Sequence, residues 1–229
     1  MANSSGFLNE DLVLERKQAG RGKVIPLGGL TKRLVDITLS IVLLVVFSPL
    51  FAAAALAIKL CDRGPIFFVH KRVGFSSRQF GCIKFRTMAV DAEQRLAVYL
   101  ASNKEFAREW AHRRKLKSDP RLISIGEFLR KTSIDELPQL VNVLRGDMSL
   151  VGPRPIVVEE LRHYGDDAGW YLSVRPGLTG AWQVSGRSDT SYKARVRIDR
   201  EYCLNWSLFE DITIIIRTIP AVIFARGSY

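Results

Sequence analysis

The chain is poor in the residues that build metal centres and covalent staples, with three cysteines and three histidines among 229 residues. Cys61, Cys82 and Cys203 are odd in number and show no CxxC spacing, which argues against both a disulfide framework and a zinc site. A reduced, cytosolic environment fits such thiols. His70, His112 and His163 are just as scattered, and no HExxH pair falls on one helix face, so hydrolysis through imidazole-bound metal has little support. Acidic residues are also short: 23 Asp and Glu stand against 34 Lys and Arg, a formal charge of +11. That surplus selects anionic partners, whether nucleic acid, lipid head groups or phosphorylated substrates. Nucleic acid is the weakest of the three, because no RNP, zinc or helix-turn-helix signature accompanies the basic run at 110–117.

At this length one ordinary domain plus an extra element is expected. Residues 1–30 are polar and Gly-containing and read as a flexible tail. Residues 31–60 hold the most apolar stretch, LVDITLSIVLLVVFSPLFAAAALAIKL, with Asp36 as its only charge before Lys59. Its uncharged part, 37–58, is just long enough at ~1.5 Å per residue to cross a ~30 Å hydrocarbon core. Ser48-Pro49 interrupts it. Pro49 cannot donate a backbone hydrogen bond and its ring clashes with the carbonyl of Val45, while the Ser48 hydroxyl can satisfy that carbonyl. Basic residues flank both ends, so a kinked span and a re-entrant helix with both ends on the cytoplasmic side stay open at this point.

The remainder, 61–229, reads as a globular unit of α+β class, mainly helical. Residues 65–88, PIFFVHKRVGFSSRQFGCIKFRTM, have the β-branched and aromatic content and the Gly/Ser turn of a β-hairpin. Residues 91–117 read as one helix ending in WAHRRKLK, placed on anionic lipid through Arg113, Arg114 and Lys115. Residues 206–224 read as an interfacial amphipathic helix with Trp206 at head-group level.

The motif richest in chemistry is LRKTSIDELPQLVNVLRGDMSLVGPRP at 129–155. Ser133 and Glu136 have capping-box spacing, so Asp135 and Glu136 are either caps of a helix from about Glu136 to Leu144 or the reactive carboxylates of a site. Pro138 suits a first helical turn. A helix N-terminus there would favour an anion, including a phosphate under attack. Arg130 and Arg154, the latter held between Pro153 and Pro155, together with Lys84 and Arg86 of KFRTM, are cations suited to phosphate oxygens. RPGLTGAWQVSGR at 175–187 adds Arg175, a Gly-rich loop and Gln183, whose backbone can approach a nucleotide-sugar closely.

KFRTM, the 129–155 run and RPGLTGAWQVSGR, in that order after an apolar segment with Ser-Pro, resemble the bacterial sugar transferases that are monotopic phosphoglycosyl transferases. The resemblance covers nearly everything from Thr31 onward and is nearest the short exopolysaccharide members, which include undecaprenyl-phosphate galactose phosphotransferases. It implies that Asp135 attacks the β-phosphate of a UDP-sugar, that UMP leaves, and that undecaprenyl phosphate then takes the phosphosugar. It implies Mg2+ at Asp135, Glu136 as its helper, and Lys84, Arg86, Arg130, Arg154, Arg175 and Gln183 on the substrate. It further implies a helix turned back at Ser48-Pro49, at the cytoplasmic face of a bacterial inner membrane with anionic lipids. Galactose is the expected sugar and glucose the alternative. A homodimer, or contact with other polysaccharide-assembly enzymes, is a further expectation; a non-catalytic scaffold is the competing class.

Overall fold

A computed structural model describes residues 25–113, 116, 119–185 and 191–223. The flexible tail expected at 1–30 lies mostly outside these, as do Arg114, Lys115, Arg187 and the side chain of Arg113.

The apolar segment forms two helices, α1 (Gly29–Val46) and α2 (Ser48–Cys61), bent by 61° at Phe47. The cause is local. Pro49 sits in the first turn of α2, where its missing N–H costs nothing, and the Ser48 hydroxyl donates to the Val45 carbonyl at 2.8 Å. No single helix among the described residues is long and apolar enough to cross a membrane, whereas the bent pair together meets that test of length and composition. Leu34, Ile41, Val42, Val45, Val46, Leu56 and Leu60 are exposed along it. The opposite face of α1 is polar. Lys32, Asp36 and Ser40, at i, i+4 and i+8, share one stripe and are buried against the rest of the chain.

The expected hairpin is present, with β1 (Phe67–Val73) antiparallel to β2 (Gln79–Phe85) and Phe67 opposite Phe85. The helix expected over 91–117 is instead two, α3 (Ala92–Ser102) and α4 (Lys104–Arg113). Asn103 between them is extended, and its side-chain oxygen accepts the Glu105 N–H at 2.7 Å, so it starts a new helix rather than continuing the old one.

Next come α5 (Gly126–Lys131), a 3-10 turn (Ile134–Glu136), α6 (Gln139–Arg145) and β3 (Ser149–Val151). After α7 (Val158–Leu161), a second 3-10 stretch and α8 (Ala168–Leu172), strand β4 (Gly177–Thr179) returns parallel to β3, with Ser149 opposite Gly177. The two glycine motifs cross here: a Cβ on Gly177 would lie 2.1 Å from the Gly152 nitrogen, and one on Gly180 2.1 Å from the Gly152 oxygen. Only bare backbones approach so closely, and this fixes the turn carrying Pro153, Arg154 and Pro155.

The chain ends in α9 (Ala181–Val184), α10 (Tyr192–Leu204) and α11 (Leu208–Ile223). Leu140, Val143, Met148, Val151, Tyr202 and Ile214 form the main core, with Leu39 and Leu43 of α1 packed on it. On α11, Asp211 and Ile214 face inward while Phe209, Ile212, Ile216 and Ile219 stay exposed. Trp206, expected at head-group level, turns inward instead. Its indole N–H donates to Asp211 at 3.1 Å and its ring packs on the core, because Asp211 offers a buried acceptor five residues away. Asp211 also receives Lys32 at 2.5 Å and the Tyr202 hydroxyl at 2.7 Å, tying α1 to α11.

Candidate active site

The Asp135 turn departs from the capping box in an informative way. Ser133 adopts a left-handed conformation (φ 57°) and accepts the Glu136 N–H with its carbonyl rather than its side chain. The chain therefore makes one 3-10 turn over Ile134–Glu136, and the helix expected from Glu136 starts only at Gln139, after Pro138. Asp135 is not a cap. It faces inward, 9% exposed, and its carboxylate makes no hydrogen bond among the described residues. Burial and the neighbouring Glu136 push it up to about 6, against the pull of Lys84, Arg130 and Arg154. It is thus mostly ionised near neutrality, lacks a quenching hydrogen bond from the described residues, and sits among cations.

Glu136 has the opposite surroundings. Lys84, from β2, reaches it at 2.6 Å and Arg154 at 3.5 Å. Arg130, from the end of α5, donates to the Thr87 hydroxyl at 2.9 Å, and burial pulls its guanidinium down from the usual range. Gln183 lies buried at the wall, its amide donating to the Leu178 carbonyl at 3.4 Å. The structure brings Asp135, Glu136, Lys84, Arg130, Arg154 and Gln183 to one region.

Arg72 joins this group without having been expected. With Lys84, Glu136, Arg154 and Gln183 it lines a tight cavity of about 10 Å³, and burial, reinforced by Arg154, lowers its basicity. The signal was available: in hairpin register Phe68 is opposite Lys84 and Arg72 opposite Phe80, so Arg72, Cys82 and Lys84 share one face. Two guanidinium groups and an ammonium around one carboxylate leave a net positive wall, suited to a diphosphate.

Two expected substrate ligands lie elsewhere. Arg86, two residues beyond Lys84, is 6% exposed and turned toward the end of α2, where it binds the Asp62 carboxylate at 2.6 Å and the carbonyls of Pro65 and Met88. Strand β2 ends at Phe85, so the alternation that would have kept Arg86 beside Lys84 stops there. Arg175 donates to the Gly146 carbonyl at 2.9 Å, with Arg33 and Asp36 as its charged neighbours. It serves the end of α6 and is not among the residues that line the cavity beside Glu136. A separate open cavity of about 540 Å³ lies at the end of α2, lined by Cys61, Asp62, Asp91 and Arg95.

A family description, bacterial sugar transferase, matches residues 27–225. The chain belongs to the bacterial sugar transferase family. It is 49% identical over 208 residues to the exopolysaccharide production protein ExoY of Rhizobium meliloti, covering 91% of this chain and 92% of that protein. It is 48% identical over 198 residues to the undecaprenyl-phosphate galactose phosphotransferase of Salmonella typhimurium, covering 86% of this chain and 41% of that one. The undecaprenyl-phosphate glucose phosphotransferase of Komagataeibacter xylinus is 41% identical over 215 residues, 87% of this chain and 37% of its own. The mixed wall of cations around two adjacent carboxylates has the charge to bind an anionic phosphate.

Magnesium can be tested against these residues. No group of three or more His, Cys, Asp or Glu gathers among the described residues, so an all-protein cage is not built. An unbonded Asp135 carboxylate beside a phosphate-binding wall does suit Mg2+, which is commonly held by one or two carboxylates together with substrate phosphates.

Proposed function

We propose that this sugar transferase moves a hexose 1-phosphate from a UDP-sugar to undecaprenyl phosphate through a phosphosugar held on Asp135, at the start of exopolysaccharide repeat-unit assembly. The observation that carries the reading is the carboxylate of Asp135: buried, ionised above about pH 6, without a hydrogen bond among the described residues, and under the pull of Lys84, Arg130 and Arg154. A carboxylate is a competent nucleophile toward phosphorus when the diphosphate's charge is withdrawn.

In the first step an Asp135 oxygen forms a bond to the β-phosphorus, the bond from that phosphorus to the bridging oxygen breaks, and the bridging oxygen leaves on UMP. Arg72, Arg154 and Lys84 neutralise the departing phosphate. Glu136, paired with Lys84 and Arg154, holds those two cations in place without competing for phosphorus. In the second step an oxygen of undecaprenyl phosphate attacks the same phosphorus and Asp135 is released. Mg2+, bound through Asp135 and the diphosphate, would supply further charge withdrawal.

A re-entrant helix supports the meeting of lipid and nucleotide at one face. Arms of 18 and 14 residues bent by 61° are ~27 and ~21 Å long, so with both ends level the apex lies ~12 Å deep, within one leaflet. The exposed apolar residues of α11 extend the same surface, consistent with a cytoplasmic-face, monotopic position. Galactose is the favoured sugar and glucose the second reading, each supported by a relative of that name.

The test is incubation of the purified chain with Mg2+ and a panel of UDP-sugars, without lipid. One equivalent of UMP and one hexose phosphate on the Asp135 peptide are expected. UMP release that requires lipid, with no adduct by mass spectrometry, would replace the covalent step by direct transfer.

A further inference from the structure

Strand β3 has two edges, and only one meets another strand among the described residues. Ser149 and Val151 pair with β4. The Leu150 N–H points the other way, into the protein, where an unpaired donor is costly. Its acceptor is Asp36 of α1: Oδ1 receives the Leu150 N–H at 2.9 Å and the Ser149 hydroxyl at 3.0 Å. Asp36 is 2% exposed and stands 114 residues away in sequence, on the helix whose other face carries the exposed apolar residues. One carboxylate therefore substitutes for a missing third strand.

What β3 leads into gives this contact its consequence. The Gly152 N–H donates to Thr179 at 2.9 Å, the Gly177 N–H donates to Pro153 at 2.8 Å, and Arg154 follows, 3.5 Å from Glu136. Between Leu150 and Arg154 the chain contains a glycine locked against β4 and a proline with fixed φ, so little slack separates the two. Arg33, next on the same helix, donates to the Val143 and Leu144 carbonyls at 2.5 and 2.7 Å and holds the far end of α6. The bent helix thus grips both β3 and α6.

We propose that Asp36 is a positioning residue for Arg154: by clamping β3 from the side opposite β4, the apolar helix sets where that guanidinium meets the donor diphosphate. This rests on the transfer reaction proposed above. Toward β3 Asp36 acts by accepting hydrogen bonds, which the side-chain oxygen of an Asn can accept as well. Its second oxygen has no hydrogen-bond partner among the described residues, so exchange to Asn breaks no bond there while keeping the oxygen that faces β3.

The experiment is a double-mutant cycle on full-length protein in lipid nanodiscs, reading UMP release against UDP-sugar concentration. Asp36→Leu is expected to lower kcat/KM roughly tenfold to a hundredfold, because small displacements of a positioning group have effects of that size. In an Arg154→Ala background the same change should matter less than about twofold, since the group it positions is gone. Asp36→Asn should stay within about threefold of wild type. If Asp36→Leu fails to fold, Ser149→Ala, which removes one donor, takes its place in the cycle with a smaller expected loss. Equal penalties with and without Arg154, or an Asn variant as impaired as the Leu variant, would overturn the clamp. Wild-type protein that releases no UMP from any UDP-sugar would instead overturn the reaction itself.

Discussion

Asp135 and Asp199 are nearly matched in acidity and unlike in everything else. Both are buried, and burial is the largest cause that pushes each up to about 6. Asp199, on α10, accepts a hydrogen bond from the Tyr164 hydroxyl at 2.8 Å and has Arg195 of its own helix at 3.8 Å. That arginine lies over the rings of Trp182 at 4.5 Å and Tyr192 at 5.2 Å, so the group is enclosed by aromatic surface. Asp135 has no hydrogen bond among the described residues, retains some exposure, and feels three cations from three different segments. The pair shows that a raised carboxylate marks burial first. What sets the nucleophile proposed above apart from Asp199 is the absence of fixed partners among the described residues combined with converging positive charge.

The largest effect that could break this comparison comes from exchanging each Asp for Asn. Asp135→Asn should reduce UMP release by at least ~10³-fold, because the nucleophile is removed while the shape is kept. Asp199→Asn still offers an oxygen to Tyr164 and should keep activity within about tenfold. Steady-state UMP release, with circular dichroism as the check on folding, decides. Equal losses from the two would make both carboxylates architectural.

The same contrast runs through the ion pairs. Lys32 and Asp211 are almost fully buried and satisfied by Tyr202 and Trp206, whereas Lys84 and Glu136 are about one-fifth exposed. Lys32→Met leaves a buried charge without its cation and should cost ~3–5 kcal/mol in denaturant unfolding, with the specific activity of the remaining folded enzyme little changed. Lys84→Met should show the reverse, with a stability change of ~1 kcal/mol or less and activity down ~10²-fold. A Lys84 variant that chiefly unfolds would move that pair to the architectural side.

These distinctions explain how far the sequence could be read. The hairpin and the bend at Ser48-Pro49 were legible, because each follows from local chemistry; motif order also named Asp135, Glu136, Lys84, Arg130, Arg154 and Gln183, residues that the fold brings near one another. Arg86 and Arg175 were not. A cation in a motif reads alike whether it meets a ligand or the carbonyls of its own chain, and the difference lies in acceptors such as Pro65 and Gly146 that only tertiary folding supplies. Arg72 was missed because its value depends on register, which puts it on the face of Lys84. Asp36 read as a lone charge in an apolar run; its partners at Ser149 and Leu150 are over a hundred residues away. Trp206 was misplaced for the same reason, since Asp211 turns it inward.

The smallest expected effect is a pH dependence, and it separates the two aspartates most sharply. For each, the folded value of about 6 lies above the ~3.9 of an unfolded aspartate, so the folded chain binds more protons between about pH 4 and 6. The stability each contributes is therefore complete below about pH 4 and is lost as pH rises through about 6, by ~1–3 kcal/mol per group. Catalysis responds to the same proton in the opposite sense at Asp135 alone, because protonation removes the nucleophile. The kcat/KM for UMP release should rise with pH around a midpoint near 6 while thermal stability in detergent falls over the same interval. Asp135→Asn should flatten part of the stability slope and be more stable than wild type at pH 7.5 by ~1–2 kcal/mol, as expected where a functional charge is held at a cost. Asp199→Asn should flatten the stability slope by a comparable amount yet leave the activity midpoint where it was. A midpoint that disappears in the Asp199 variant would mean that the titrating group in catalysis is the enclosed aspartate, and the assignment built on the cations converging on Asp135 would fall.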